Sequence, residues 1–243
     1  MKISMEHNEK PAQSYNERLF GRGFRKALHE ARFHWLSKTI KNLQIPCDSV
    51  LELGCFDGKV LDFLPTRPAR YAGFDANWEG GLDLAKQRWR GNPSYSFSEI
   101  DMPSQMLLND ELFDVSIAME TLEHVSPELV AGYLKKMNEH TRRYVFITVP
   151  NEKGLVFLAK WLVKKFFMSR AEQYSINELV NSTIGRCHLV SRKEHKGFDY
   201  HDLLSEVKKE FEIVHIVGIP NNFLPLSLNF GVGIVARKKT SDG

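Results

Sequence analysis

The sequence predicts an α/β fold in which a mostly parallel sheet of seven strands carries helices on both faces. Short apolar runs alternate with segments of helical period through most of the chain. A glycine loop closes the first run, and acidic residues follow three of the later ones. Because the carboxyl ends of parallel strands meet at one edge of a sheet, the sequence predicts a ligand cleft at that edge.

Composition narrows the class of protein. The chain has 243 residues, 42% of them hydrophobic, and its 33 basic and 30 acidic residues give a net charge of +3. The basic residues are dispersed, so the sequence does not favour nucleic acid as a partner. Cys47, Cys55 and Cys187 lack the CxxC spacing of a zinc site, and no signal peptide or membrane-spanning run is evident. These features favour a cytoplasmic protein, and they leave its oligomeric state open.

The chain begins with a helical segment, which we place at residues 1–48. Apolar residues recur at three- and four-residue spacing from Tyr15 to Leu43, interrupted by Gly21 and Gly23. The remaining residues, 49–243, are predicted to form the α/β domain.

Strand and helix patterns then alternate along the α/β domain. The run 49–53 is closed by the loop 54–58, after which Val60, Leu61 and Leu64 predict a helix. The patterns that follow are strand 71–74 before Asp75, helix 82–89, strand 95–97 leading to Asp101, and strand 113–119 leading to Glu120. Ser126 as N-cap and Pro127 as first residue predict the next helix, and 144–149 a fifth strand.

The last third returns to the same pattern after an insertion. Residues 151–198 form that insertion, in which Ser175 and Glu178 have the spacing of a capping box. A helix through 203–211 and strands at 213–217 and 231–236 complete the domain, the last of them as a reversed edge strand.

The charge of the glycine loop distinguishes between ligands. A dinucleotide site has three glycines and places a pyrophosphate on a helix N-terminus, whereas here Gly54 and Gly58 stand alone and Glu52 lies beside them. A carboxylate disfavours pyrophosphate and favours a cationic ligand, which argues against a nicotinamide-dependent oxidoreductase. S-adenosylmethionine (SAM) carries a sulfonium and an ammonium group, and we therefore predict SAM as the ligand.

Three segments carry a family resemblance. Residues 50–58, 113–125 and 147–151 resemble motifs of class I SAM-dependent methyltransferases, and the resemblance is close from Val50 to Asn151. It implies the Rossmann-like class I fold, with Asp75 holding the ribose hydroxyls and Asp101 lying near the adenine amino group. The cofactor residues that it implies are Glu52, Gly54, Cys55, Phe56, Gly58, Asp75, Ala76, Asp101, Met102 and Glu120.

Phe56 and Glu52 differ from the other predicted cofactor residues. Phe56 stands where most members of the family have a glycine, so we expect its side chain to point away from the cofactor. Glu52 has two interpretations: it contacts the cofactor, or it accepts hydrogen bonds from amides of the loop.

The segment after the fourth strand holds the predicted catalytic groups. Histidine as a residue type suits the role of a general base, and His124 follows the fourth strand. Glu120, Glu123 and His124 would share a face if the segment were helical. Ubiquinone-biosynthesis O-methyltransferases and small-RNA 2′-O-methyltransferases hold a divalent metal with such a cluster. We favour the plainer interpretation, in which these residues cap a helix and orient the loop, and we leave the metal ligands unassigned. His195, in the insertion, is a further candidate beside the acceptor.

A basic amphipathic helix is predicted at 155–168. Leu155, Leu162 and Phe166 lie on one face, and Lys160 and Lys164 add positive charge. Such a helix can lie in a membrane interface. A lid over the substrate or a dimer contact is the more common use of such a helix.

The sequence therefore predicts a SAM-dependent methyltransferase that releases S-adenosylhomocysteine (SAH). We expect it to act on a hydroxyl of a small-molecule, sugar or lipid-linked acceptor. Two alternatives stay open: a metal-dependent RNA 2′-O-methyltransferase, and a SAM-binding interaction module without catalysis.

Overall fold

A computed structural model describes residues 24–167, 173–192 and 196–239 of the chain. The predicted helical residues before 24 and the candidate His195 lie outside the described residues. The boundaries proposed for the N-terminal segment, the domain and the insertion remain predictions.

A sheet of seven strands forms the centre of the fold, in the order β3-β2-β1-β4-β5-β7-β6. All neighbouring pairs are parallel except those made by β7, which is antiparallel to both β5 and β6. The predicted fold class is thus confirmed. The strands are β1 Ser49–Leu53, β2 Arg70–Asp75, β3 Tyr95–Glu99, β4 Phe113–Met119, β5 Thr141–Pro150, β6 Phe211–Ile219 and β7 Gly231–Lys238.

Helices cover both faces of this sheet, and each face has its own apolar core. Buried side chains of α1 and α2 belong to one core, and those of α3 and α6 to the other. None of the described helices is long and apolar enough to cross a membrane. The helices are α1 Phe24–Asn42, α2 Gly81–Trp89, α3 Pro127–His140, α4 Gly154–Phe167, α5 Ile176–Thr183 and α6 Tyr200–Glu210.

The prediction of a helix after the glycine loop is wrong. Only a single 3-10 turn, Lys59–Asp62, forms there. Pro65 follows closely, and a proline disfavours helical backbone at the residue before it. The apolar spacing that suggested a helix reflects two buried side chains, Val60 and Leu61, within this turn.

The prediction of a reversed strand at the edge also needs correction. β7 is reversed, but it lies between β5 and β6, and β6 forms the edge. Side chains 232–236 of β7 are all buried, as an interior strand requires. β6 instead exposes Glu212, Val214 and His215, which suits an edge strand.

The region predicted as an insertion holds α4 and α5. Ser175 Oγ accepts from the Glu178 amide at 3.3 Å, and Glu178 Oε2 accepts from the Ser175 amide at 2.9 Å. This is the capping box that the spacing predicted, and it fixes where α5 begins.

Candidate active site

A cleft of about 650 Å³ lies at the carboxyl ends of β1, β2 and β4. Its volume is that of a site for a small organic ligand. The predicted site residues that line it are Glu52, Gly54, Cys55, Phe56, Asp75, Ala76, Asp101, Glu120 and His124. Gly58, Met102 and Glu123 do not line it.

Gly54 brings the loop after β1 close to the loop after β4. Its φ is +76°, and a Cβ on this residue would lie 2.0 Å from Thr121 Oγ1. The amides of Gly54 and Cys55 both donate to the Phe74 carbonyl, at 2.6 and 3.2 Å. Glycine is therefore required here for close packing as well as for backbone conformation.

Phe56 departs from the expectation that its side chain avoids the cleft. The residue has a φ of +44° and lines the cleft, where its ring lies 6.4 Å from that of Trp78. Gly81 makes room for the ring, since a Cβ there would lie 2.2 Å from Phe56 Cδ2. The side chain thus forms part of the cleft wall.

Gly58 supports the loop from behind the cleft. Its φ is +68°, and a Cβ would lie 2.8 Å from Trp89 Nε1. The residue predicted as a cofactor contact therefore has a structural role in the described geometry.

Asp75 joins the loops after β1 and β2. Its Oδ2 accepts from the Phe56 amide at 2.9 Å. Burial raises the pKa of Asp75, and hydrogen bonds from the amides of Phe56, Asn77 and Trp78 oppose that shift. The carboxylate lies in the cleft at the end of β2, where the sequence placed it.

The end of β3 differs in detail from the prediction. Asp101 lines the cleft, whereas Met102 is 47% exposed and lies outside it. Gln105 Oε1 accepts from the amides of both, at 2.6 and 3.1 Å, and so turns the chain away after Asp101. Ile100, the residue before Asp101, lines the cleft.

Glu52 is buried at the base of the cleft. The Tyr71 hydroxyl donates to Glu52 Oε2. Burial raises the pKa of Glu52 well above its ordinary value, and the Tyr71 hydrogen bond opposes that shift. The interpretation of Glu52 as an acceptor for loop amides does not match the structure, in which the hydrogen-bond donor to Glu52 is the Tyr71 side chain.

Glu120 stands at the end of β4 in strained backbone. Its φ is +52°, and its amide donates to the Thr148 carbonyl at 2.9 Å. Burial raises the pKa of Glu120, while the charges of Arg32 and Lys160 lower it. Strain of this kind is concentrated at functional sites.

Glu123 and His124 follow in a turn, so the condition of a helical segment is not met. His124 lines the cleft, and its Nε2 lies 4.0 Å from Glu123 Oε1. The Glu123 side chain is fully buried beneath it, and neither carboxyl oxygen has a hydrogen-bond partner among the described residues. Burial, and then the charge of Glu120, raise the pKa of Glu123 well above its ordinary value. No group of three or more His, Cys, Asp or Glu side chains in the described ranges is arranged to hold a metal ion.

Sequence reasoning missed several residues of the cleft, of which Arg32 on α1 matters most. Arg32 lines the cleft, and its positive charge lowers the pKa values of Glu52, Glu120 and Glu123. Its Nε is buried and has no hydrogen-bond partner within the described ranges. The helical spacing of α1 gave no sign that the helix reaches this edge of the sheet. Other lining residues that were missed include Phe33, Lys59, Trp78, Thr121 and Tyr133.

Comparison with known proteins now decides the class. Residues 50–143, which hold β1 through the start of β5, match a family model described as a methyltransferase domain. This part of the chain is therefore similar to a methyltransferase domain. The predicted enzyme class, a SAM-dependent methyltransferase, is therefore confirmed, and the assignment to an O-methyltransferase subtype remains a prediction.

Several solved structures resemble this chain over most of its length. A SAM-dependent methyltransferase from Clostridium acetobutylicum has a TM-score of 0.62 at 12% identity, covering 93% of this chain and 96% of that one. Magnesium protoporphyrin IX methyltransferase from Synechocystis, with bound SAH, has a TM-score of 0.56 at 14% identity, covering 92% of each chain. The N-methyltransferase NodS from Bradyrhizobium japonicum, in complex with SAH, has a TM-score of 0.56 at 12% identity, covering 92% and 96%. At such identities the likeness establishes the fold. No curated protein matches the methyltransferase.

Proposed function

We propose that the protein transfers a methyl group from SAM to a hydroxyl of a small-molecule, sugar or lipid-linked acceptor and releases SAH. The observation that carries this proposal is the arrangement of carboxylates at the strand ends with His124 beside them in one cleft. Each part of the ligand has a matching group in that cleft.

The charges of the cleft fit those of SAM. Five carboxyl-bearing residues line the cleft, against two permanent cations, Arg32 and Lys59. The carboxyl-bearing residues are Glu52, Asp57, Asp75, Asp101 and Glu120. An acidic cleft attracts the sulfonium and the ammonium of SAM. Arg32 would then hold the carboxylate of the methionine part, since its guanidinium is suited to that geometry.

The nucleoside part would lie between the ends of β2, β3 and α3. Asp75 would accept from the ribose hydroxyls, and Asp101 from the adenine amino group. Ile100, Val125 and Leu129 also line the cleft and would provide apolar contacts for the base.

His124 would remove the proton from the acceptor. When bound, SAM supplies a methyl group that its sulfonium activates for direct displacement. The His124 imidazole would take the proton of the acceptor oxygen as that oxygen forms its bond to the methyl group, and SAH would leave with the electron pair of the carbon–sulfur bond. A cationic imidazole favours ionisation of a nearby carboxyl, so Glu123 at 4.0 Å would balance the charge that His124 acquires.

Methyl transfer from radiolabelled SAM to a panel of acceptors tests this proposal. The panel contains hydroxylated sugars, quinol precursors, lipid extract, amines and RNA. We expect transfer to a hydroxyl acceptor, and His124→Asn should lower kcat by about 10²–10⁴-fold without changing the affinity for SAH. His215→Asn, at an exposed histidine of β6, is the matched control.

Each other outcome contradicts part of the proposal. Transfer to amines alone would overturn the hydroxyl assignment, and undiminished turnover of His124→Asn would remove the proposed base. Transfer to RNA would support the 2′-O-methyltransferase alternative. SAH binding without transfer to any acceptor would support the interaction module.

A further inference from the structure

Helix α5 turns its apolar side chains toward solvent. Ile176, Val180 and Ile184, at and just beyond the helix, are spaced four residues apart and therefore share one side. They are 82%, 51% and 57% exposed. An amphipathic helix normally buries such a stripe, so this face is built for contact with something outside the described fold.

Helix α4 and a nearby loop extend the same kind of surface. Leu155, Leu162 and Phe166 lie on the outer side of α4, and Phe166 is 74% exposed. Phe223, at 92%, stands in the loop between β6 and β7. The Asn151 side-chain amide fastens this loop to the start of α4 by donating to the carbonyls of Leu226 and Asn229, both at 3.1 Å.

We call these exposed apolar side chains the insertion surface. It comprises Leu155, Leu162, Phe166, Ile176, Val180, Ile184 and Phe223.

The charges beside the insertion surface are positive. The α4 sequence contains three lysines and no acidic residue. Lys165 and Arg186 are exposed, and they lie close in the sequence to Phe166 and Ile184 respectively. The nearby carboxylates Glu152 and Glu178 are paired, with Lys160 at 2.6 Å and Lys196 at 2.8 Å. Pairing thus neutralises these two carboxylates, and the exposed charges named here, among the residues that the structure describes, are cationic.

We propose that the insertion surface docks on an anionic lipid membrane. Outward apolar side chains enter the boundary between headgroups and acyl chains, and flanking cations are attracted to anionic headgroups. A second copy of the chain fits less well. In a symmetric dimer the same patch meets itself, so Lys165 and Arg186 would face their own copies.

Docking would bring the cleft to the membrane. The loop that carries Phe223 ends at Gly231, where a Cβ would lie 3.9 Å from Glu120 Oε1 in the cleft wall. The loop that carries Phe223 therefore leads to the wall of the cleft. An acceptor with a lipid tail could present its hydroxyl without leaving the bilayer, an inference that rests on the proposed function.

Flotation of the full chain with lipid vesicles tests the docking. The vesicles contain phosphatidylcholine alone or phosphatidylcholine with phosphatidylglycerol. We expect binding to the anionic vesicles and weakening by salt. Phe166→Ser or Phe223→Ser should weaken binding by at least about tenfold, and Lys165→Glu by about fivefold.

Matched controls and a second readout keep the result interpretable. Leu107→Ser changes an apolar residue that is 81% exposed outside the insertion surface, and Lys86→Glu reverses an exposed charge on α2. Both should float like the wild type, and every variant should bind SAH normally. Absence of vesicle binding, or equal loss in the controls, would overturn the docking. A self-association that Phe166→Ser abolishes, without any vesicle binding, would assign the surface to a second copy. Because vesicle binding is scored without methyl transfer, its failure is separate from failure of the proposed function.

Discussion

Asp75 is the residue at which sequence and structure agree most directly. Its position after a short apolar run was sufficient to predict a carboxylate at the edge of the sheet, and the structure adds that Oδ2 holds the Phe56 amide at 2.9 Å. One carboxylate therefore shapes the glycine loop and faces the cleft.

We expect Asp75→Ala to weaken SAH binding by on the order of 1.5–3 kcal/mol, because charge-assisted hydrogen bonds to the ribose are lost. Calorimetric titration measures this loss. Asp110→Ala, at an exposed aspartate before β4, is the control and should bind SAH like the wild type. An unchanged affinity of Asp75→Ala would sink the assignment of Asp75.

Glu123 is expected to make stability depend on pH. Burial raises its pKa in the folded state well above the ordinary value of the unfolded chain. Its contribution to stability is fully present below the unfolded pKa and is lost as the pH rises through the folded-state pKa. Glutamine has a similar shape and no proton to lose. Glu123→Gln should therefore raise the Tm relative to the wild type by about 3 °C or more at about pH 8, and by less at about pH 5.

Thermal unfolding at the two pH values measures this difference, with Glu128→Gln, at an exposed position of α3, as the control. The same Glu123→Gln variant should have a lower kcat, because His124 loses its acidic neighbour. A Tm difference that is identical at both pH values would contradict the raised pKa. Higher stability with full activity would make the carboxyl structural only.

Other residues of the site could not be predicted from local sequence. Arg32 reaches the cleft because α1 packs on the face of the sheet where its buried side chains share a core with Val50 of β1. This tertiary contact has no signal in the local sequence. Met102 lies outside the cleft, where the hydrogen bonds to Gln105 turn the chain after Asp101, and its cofactor role stays a prediction.

At the scale of elements, α2 and the glycine loop are fitted to each other. Phe56 fills the space that Gly81 leaves at the first position of α2. Gly81→Ala adds a methyl group in backbone that tolerates alanine, so its effect comes from the contact with the Phe56 ring alone. We expect it to lower the free energy of unfolding by about 1–3 kcal/mol and to weaken SAH binding.

Gly91→Ala is the control for that change, because a Cβ at Gly91 meets no atom within 4 Å. Chemical denaturation and SAH titration of the two variants give the comparison. Equal stability of the Gly81 and Gly91 variants would show that the Phe56 ring moves at little cost.

Helix α1 is predicted to contribute to ligand binding through Arg32. Arg32→Ala should weaken SAH by about tenfold or more, since a charged hydrogen-bonded group is removed. The affinity for 5′-methylthioadenosine, which lacks the methionine carboxylate, should be unchanged. Equal weakening of both ligands would mean that Arg32 supports the fold of the cleft instead of contacting the carboxylate.

Elements with strong periodicity were predicted well, and those decided by packing were not. β4 and the start of α3 lie where the apolar run and Ser126-Pro127 predicted them. The helix after the glycine loop failed because Pro65 limits it to one turn, and β7 was misplaced because strand order depends on long-range pairing.

For the whole molecule, the alternation of strands and helices was sufficient to predict the fold, and the acidic strand ends were sufficient to predict the cofactor class. The acceptor depends on the insertion, where α4 and α5 turn apolar faces outward, and periodicity alone does not tell which side of a helix is buried. The proposed membrane docking follows from that exposure.

The cleft at the ends of β1, β2 and β4 is predicted to bind SAM through its acidic edge. Calorimetric titration of the purified chain with SAH, and with NAD for comparison, tests this binding. We predict binding of one SAH per chain and no binding of NAD, whose pyrophosphate is disfavoured beside Asp75 and Asp101. Binding of NAD in place of SAH, or of neither ligand by folded protein, would contradict the claim.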